Sequence, residues 1–495
     1  MLRYPLPLSF LLPVILAGAL TAQAAAPDVD WTRVYGDSGI NIAYWIEECS
    51  TSGYVVSGSW PEDGTGERDA LLMRVDVDGD TLWTKTWGDS LMNAAACVRE
   101  TSDRGFILAG FTERVPGDVD AWFIRTDENG DTLWTSQFDF GTTDILYSVV
   151  EMTNGDFIAC GYSSGAPPAD AIDILVMRID SNGHGRWKLI LEKPGNERGL
   201  ELCKTRDGNV AVGGFGGTDM VSDDAMLIKV DAASGDTIWT RAYQDTVTRD
   251  IVSGMRETLD GGFILCGGKT DRNTLVREGF LIRTDSAGFA IWFKRYGGAG
   301  DGQYICSVVA TPDSGYALGA RRDTSETSDY DFYFMRTNSA GDTLWTKTLY
   351  EPERQVMTCM TMTGDNGYVS CGEGRVLPST ESTIWLVKLG EDDAGVIPLE
   401  ESLEPASLAV EGASPFTGNV PISYEIPSAC HVNLTVFDVS GRYVATLAEG
   451  IKSAGAHRVE WDRRNCAGEE VTSGMYFIKC DTPDGSAVEK ALVVK

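Results

Sequence analysis

Residues 101–134 read TSDRGFILAGFTERVPGDVDAWFIRTDENGDTLW, and this stretch decides the fold. An acidic turn and a Gly-Phe step open one apolar run, Asp120 opens a second, and an Asp/Asn/Gly turn leads to Trp134. Short runs rich in β-branched and aromatic residues, bounded by turn residues, read as strands. The short Gly-containing connections between them read as hairpins.

The same unit recurs through most of the chain. Tryptophans stand at Trp31, Trp83, Trp134, Trp187, Trp239, Trp292 and Trp345, at intervals of 52, 51, 53, 52, 53 and 53 residues. The aromatic that opens the first run is Tyr54, Phe106, Phe157, Phe263, Tyr316 or Tyr368, with Val210 in the fourth copy. A glycine follows four residues later at Gly58, Gly110, Gly161, Gly214, Gly267 and Gly372, and the sixth copy slips to Gly319. The second run opens on Asp69, Asp120, Asp173, Asp224 and Asp331, with Glu278 in the fifth copy. Each period supplies four antiparallel strands, the signature of propeller blades. DWTRVYG (30–36) is an outermost strand without a blade, and TIWLVKLG (383–390) is a third strand without its fourth. Pairing the two closes seven blades into a ring that leaves only short, protected edges. The expected fold is therefore all-β, a seven-bladed β-propeller over 27–390 closed by its N-terminal strand.

The turn-plus-Trp unit resembles the tryptophan-docking repeat of pyrroloquinoline-quinone-type propellers. The clearest copy is Asp231-Ala232-Ala233-Ser234-Gly235 with Trp239 four residues later. The resemblance implies that Trp239 and the six tryptophans in register pack between neighbouring blades. Most copies are one residue shorter in the turn, and the adjacent cysteine pair of the quinone dehydrogenases is absent, so quinone chemistry is not implied.

EDDAGVIPLEESLEPAS (391–407) is acidic and carries prolines, and reads as a linker. The last part, 408–495, resembles the C-terminal Ig-like modules of bacterial secreted proteins. It is similar to the type IX secretion sorting domain and to the Ig-like domain of flagellar hook-capping protein. The carrying residues are Ser414-Pro415-Phe416, ISYEIP (422–427), VFDVSGRYVATL (436–447), GAHRVEWDRR (455–464) and SGMYFIKC (473–480). Ser414 stands where the family usually has Asn. The resemblance implies a small Ig-like β-sandwich whose partner is a secretion or surface-attachment machinery.

Residues 1–24 read as a secretory signal. Arg3 precedes an apolar run from Leu6 to Leu20, and Ala22-Gln23-Ala24 is a small-x-small cleavage site. No later run is long enough for a transmembrane span. The expected location is outside the cell or on the outer surface of a Gram-negative-type bacterium. Lys and Arg total 41 against 73 Asp and Glu, for a net charge of -32. Phosphate backbones require a surplus of cations, which argues against nucleic acid as partner. Eleven cysteines fit no disulfide framework, and most sit in apolar strand runs as small hydrophobes. One pair stands out. About a hairpin centred on Asp365, Cys359 and Cys371 are equidistant and face each other, either as a disulfide or as two buried thiols.

Three histidines lie far apart without metal-ligand spacing. Asp76, Asp78 and Asp80 in the DVDGD turn offer hard oxygen ligands for calcium, but no bidentate Glu follows, and Asp and Gly are also what a tight turn demands. No other cofactor signature is present. The repeated Asp before the third strand either lines a functional ring or caps loop N–H groups. No GxSxG, HExxH or phosphate loop occurs, and no catalytic residue is assigned. Binding residues concentrate on loops held by a rigid scaffold. The longer loops are WPEDGTGER (60–68), SSGAPPADAI (163–172), KTDRNTLVR (269–277) and RRDTSETSDY (321–330), which makes Trp60, Arg272, Arg277, Arg321 and Arg322 the contact candidates. The function expected is noncatalytic: a secreted or surface protein whose propeller binds a protein or glycan. The alternative is a secreted carbohydrate-active hydrolase or lyase using carboxylates on the same face.

Overall fold

The structure is a computed structural model. It describes residues 25–36, 39–61, 68–88, 91–165, 172–191, 195–216, 223–243, 248–298, 301–323, 330–350, 354–375, 381–393, 407–412, 415–426, 430–438, 443–453, 455–466, 468, 470–482 and 485–494. The expected signal at 1–24, linker residues 394–406, Ser414 and the loop centres 62–67, 166–171 and 324–329 lie outside them. Every regular element named among the described residues is a strand. No helix there is long and apolar enough to cross a membrane. The chain divides into two compact units, Met1–Val396 and Ile397–Lys495.

The first unit is propeller-like. It holds five four-stranded sheets and one eight-stranded sheet. The eight-stranded sheet is two four-stranded antiparallel ladders joined by a single parallel bridge from Thr143 to Val119. The first strands of the ladders are Ile42–Glu48, Asn93–Glu100, Thr143–Glu151, Arg198–Lys204, Thr248–Glu257, Gly302–Ala310 and Arg354–Met362. The N-terminal strand Val29–Tyr35 pairs antiparallel with Thr383–Leu389 and sets Trp31 opposite Lys388.

Each ladder is punctuated by local chemistry. In the turn after the first strand, Thr101 Oγ1 donates to Asp103 at 2.6 Å, and Thr258 and Thr311 donate to Asp260 and Asp313 at 2.7 and 2.5 Å. A basic residue on the third strand reaches the same carboxylate: Arg125 to Asp103 at 2.6 Å, Lys229 to Asp207 at 2.6 Å and Lys388 to Asp365 at 2.8 Å. That base is also the cross-strand partner of the repeat tryptophan, as in Arg125–Trp134 and Lys229–Trp239. The sequence reading did not single it out. Its signal was the lone base that recurs in the apolar third-strand runs.

Successive sheets are held by the tryptophans. The Trp83 ring lies 6.1 Å from Phe106 of the next sheet, and Trp239 lies 6.1 Å from Phe263. Trp83 also covers the following turn at Gly130, where φ is +77° and an added Cβ would stand 2.7 Å from the indole. Glycine meets both demands at once, the left-handed backbone and the close ring. Trp345 differs: its Nε1 donates to Asp392 Oδ1 at 3.0 Å. Asp392, the second residue of the acidic stretch expected as linker, is nonetheless buried and also bonds Arg336 at 3.1 Å.

The second unit has a three-stranded sheet (Ser407–Val410, Val420–Ile426, Gly455–Trp461) and a four-stranded sheet (Tyr443–Lys452, Cys430–Asp438, Gly474–Thr482, Gly485–Val493). Its core gathers Ile422, Tyr424, Val436, Ile478 and Trp461, with Trp461 edge-on to Tyr476 at 5.1 Å. Phe416 is buried, and its N–H donates to Leu492 O at 2.8 Å, tying the Pro-Phe step to the last strand.

Candidate functional site

Each of the seven first strands breaks register once, at Tyr44, Ala96, Tyr147, Leu200, Ser253, Cys306 and Thr358. A β-bulge leaves its extra residue unpaired and re-aims its side chain. All seven of these residues line one cavity of about 450 Å³ in the first unit. The bulge also accounts for the repeated glycine. It drives a first-strand carbonyl onto the second strand, so an added Cβ at Gly110 would stand 1.9 Å from Ala94 O. At Gly58 the distance to Ile42 O would be 2.0 Å. In the sixth copy Ala320 takes this place, opposite Ile305.

One end of the cavity is closed by ion pairs. Arg99 meets Glu47 at 3.3 Å and Glu201 at 3.8 Å, and Arg256 meets Glu201 at 2.8 Å. The Arg99 guanidinium lies 4.2 Å from the centre of the Trp45 ring. Beyond them a second cavity of about 330 Å³ is lined by Glu47, Arg99, Glu100, Glu151, Lys204 and Arg256. Glu201 is 3% exposed. Burial pushes its carboxyl up, and Arg256 and Arg99 only partly pull it back. A hydrolytic carboxylate pair needs a gap for substrate and water. Between Glu47 and Glu201 that gap holds the Arg99 guanidinium.

The other end is aromatic and cationic. Arg321 lines the cavity with its guanidinium 4.4 Å from the Tyr304 ring, and Ser253 Oγ donates to Tyr304 OH at 2.8 Å. Arg321, Arg277 and Arg354 all surround Tyr330, at 5.6, 5.8 and 5.0 Å from its ring centre. Of the five loop candidates the structure therefore gathers Arg277 and Arg321. Arg322, the next residue on the strand, points to the opposite face and is paired with Asp301 at 2.6 Å. Arg272 sits in an exposed turn, and Trp60 is a half-buried residue of the first sheet opposite Asp69. Arg354 had no loop or motif to flag it.

The DVDGD turn spends its first carboxylate on the backbone. Asp76 Oδ1 accepts the N–H groups of Asp78 and Asp80 at 3.0 and 2.8 Å. Asp127, Asp180 and Asp285 repeat the pattern. Elsewhere, Asp118, Asp120 and Asp139 bring carboxylate oxygens within 4.8 Å of one another. Burial first, then Asp139 and Asp118, raise the Asp120 carboxyl.

The register sets Cys359 opposite Cys371, and both thiols are free. The bulge at Thr358 turns the two apart. Cys371 Sγ lies 3.4 Å from Thr358 Oγ1, while Cys359 Sγ points to Ile46 O at 3.9 Å. Burial pushes the Cys359 thiol up to about 11, far from the thiolate that oxidation needs.

Residues 411–486 match the FlgD Ig-like domain family. No curated protein matches the chain. Matches among solved structures include PorZ of Porphyromonas gingivalis, described as an essential bacterial surface component of the type-IX secretion system. It is 11% identical over 93% of this chain, with a TM-score of 0.43, and the chain spans 60% of PorZ. A fungal alcohol oxidase of the AA5 family is 13% identical over 95% of this chain and 100% of its own, with a TM-score of 0.46. A PL25 ulvan lyase is 9% identical over 73% of this chain and 96% of its own, with a TM-score of 0.49. What the comparisons carry is the Ig-like domain over residues 411–486.

Proposed function

We propose that residues 27–390 form a closed seven-bladed propeller that binds a glycan or protein ligand in its central cavity without catalysing a reaction. On this reading the protein is exported to the bacterial surface, and the Ig-like unit serves secretion or attachment. The observation that carries the binding role is the ring of seven bulges, which aims side chains from all seven first strands into one cavity. Closure is supported by contacts that treat the last and first sheets like any other neighbours. Glu100 accepts Ser50 N–H at 2.6 Å and Glu151 accepts Ser102 N–H at 2.7 Å across adjacent sheets. Glu48 of the first sheet accepts Gly364 N–H of the last at 2.7 Å. Thr358 Oγ1 also donates to Ala43 O at 2.8 Å.

The test is a glycan and protein array probed with the full-length chain and with Ser253→Trp, which fills the cavity. Binding that the variant loses supports the proposal, and binding that it keeps overturns it. Removing residues 408–495 is expected to leave a folded propeller that is no longer retained at the surface. The hydrolase or lyase alternative draws on Glu201, a buried acid on the cavity wall. Turnover of a carbohydrate polymer that Glu201→Gln abolishes would establish that alternative instead.

A further inference from the structure

The protein carries 73 acidic residues against 41 basic ones, so an arginine without a carboxylate partner is conspicuous. Most arginines near the cationic end have one. Arg322 pairs with Asp301 at 2.6 Å, Arg249 with Asp223 at 2.5 Å, and Arg375 with Glu373 at 2.7 Å. Among the described residues Arg277, Arg321 and Arg354 make no ion pair. Arg277 donates to Tyr330 OH. Among the described residues Arg321 meets the Tyr304 and Tyr330 ring faces, and Arg354 Nε is buried with no hydrogen-bond partner. Three guanidiniums thus lie within 5.8 Å of the centre of one tyrosine ring. Arg321 and Arg354 are half-buried and Arg277 is exposed. Like charges gathered on one ring repel one another, and an arriving anion converts that repulsion into charge-assisted, bidentate hydrogen bonds.

We infer that Arg277, Arg321 and Arg354, gathered on Tyr330 at the edge of the cavity, form a subsite for the carboxylate or sulfate group of an acidic saccharide. The inference rests on the cavity-binding role proposed above and names the class of ligand. A saccharide is favoured over a peptide by the adjoining wall. Tyr44, Phe111, Tyr147 and Tyr304 line the cavity and are only partly buried. Flat aromatic faces stack against the C–H faces of sugar rings, while neighbouring cations hold the acid group. A cavity of about 450 Å³ is of small-ligand size and takes the end of a sugar chain, not a folded partner.

Calorimetric titration of the full-length chain with trigalacturonic acid, a sulfated disaccharide, maltotriose and a penta-aspartate peptide tests this. Arg321→Gln, Arg354→Gln and Ser253→Trp serve as variants, with thermal unfolding as the check on folding. The expected result is binding of trigalacturonic acid or the sulfated disaccharide in preference to maltotriose and the peptide. Each arginine substitution is expected to weaken it by about ten- to a hundredfold, and S253W to remove it. Which of the two acidic sugars binds tells carboxylate from sulfate. Preference for the peptide, binding of neither acidic sugar, or arginine variants that bind like the parent would overturn the inference. If maltotriose binds as well as the acidic sugars and only S253W abolishes it, the cavity-binding role survives and acid recognition falls. If acidic sugars bind S253W unchanged, both fall.

Discussion

At one end of the cavity Arg99 and Arg256 meet Glu47 and Glu201 at 2.8 to 3.8 Å. At the other end Arg277, Arg321 and Arg354 crowd one tyrosine, and among the described residues none of the three makes an ion pair. The paired end draws its charges from first strands, and the other end draws Arg354 from a first, Arg321 from a second and Arg277 from a third. The difference teaches what each charge is for. A paired charge is settled within the fold, and removing its partner costs stability. An unpaired cluster strains the fold slightly and is settled by something outside it.

The comparison can be broken most directly at Glu201. Glu201→Ala leaves the half-buried Arg99 and Arg256 without their shared, buried partner, and is expected to cost about 3–5 kcal/mol in chemical unfolding. A loss below about 1 kcal/mol would mean that the two ends do not differ in kind. Next in size are the bulges between them. Gly110→Ala puts a methyl 1.9 Å from Ala94 O, with an expected cost of about 1–3 kcal/mol. Because Ala320 occupies the equivalent place in the sixth sheet, Ala320→Gly is expected to be tolerated far better.

Acid sharpens the contrast between kinds of pairing. Burial raises the Asp313 carboxyl, but Thr311 and Arg336 outweigh it, and the net direction is down. Such a group adds stability above the unfolded carboxylate range, near pH 4, and that stability is lost as pH falls below it. Glu201 has the opposite sign. Its raised carboxyl favours the folded state when protonated, and that advantage fades as pH rises through its folded value. Asp313→Asn should therefore flatten the acid limb of unfolding free energy against pH, whereas Glu201→Gln should leave that limb in place. The smallest expected effect is Arg354→Gln, which removes repulsion as well as charge and should change stability by no more than about 0.5 kcal/mol. A loss as large as that of Glu201→Ala would show that Arg354 is structural.

The repeat was legible because its chemistry is local. A left-handed hairpin turn needs Gly130, and a strand that packs on the next sheet needs Trp134, so both write themselves into the period. The Cys359–Cys371 register was legible for the same reason, since a hairpin fixes which residues oppose each other. Whether the pair bonds was not, because a one-residue bulge decides where the thiols point. The glycine four residues after each aromatic was visible, but its cause was not: it makes room for a bulge on the neighbouring strand. The loop candidates show the limit. Arg321 and Arg322 look alike in sequence, yet strand alternation sends one into the cavity and the other to Asp301.

By itself, then, the sequence determined the strand content, the period, the turns and the Ig-like end, all set by contacts within a hairpin or a single repeat. Tertiary structure alone decided the cavity and its two ends. Glu201 meets Arg99 from a sheet two repeats away, and Arg354 meets Tyr330 across a sheet boundary. Charges this far apart in the chain carry no mark of their partnership, because the packing of sheet on sheet, not any local propensity, sets the distance between them.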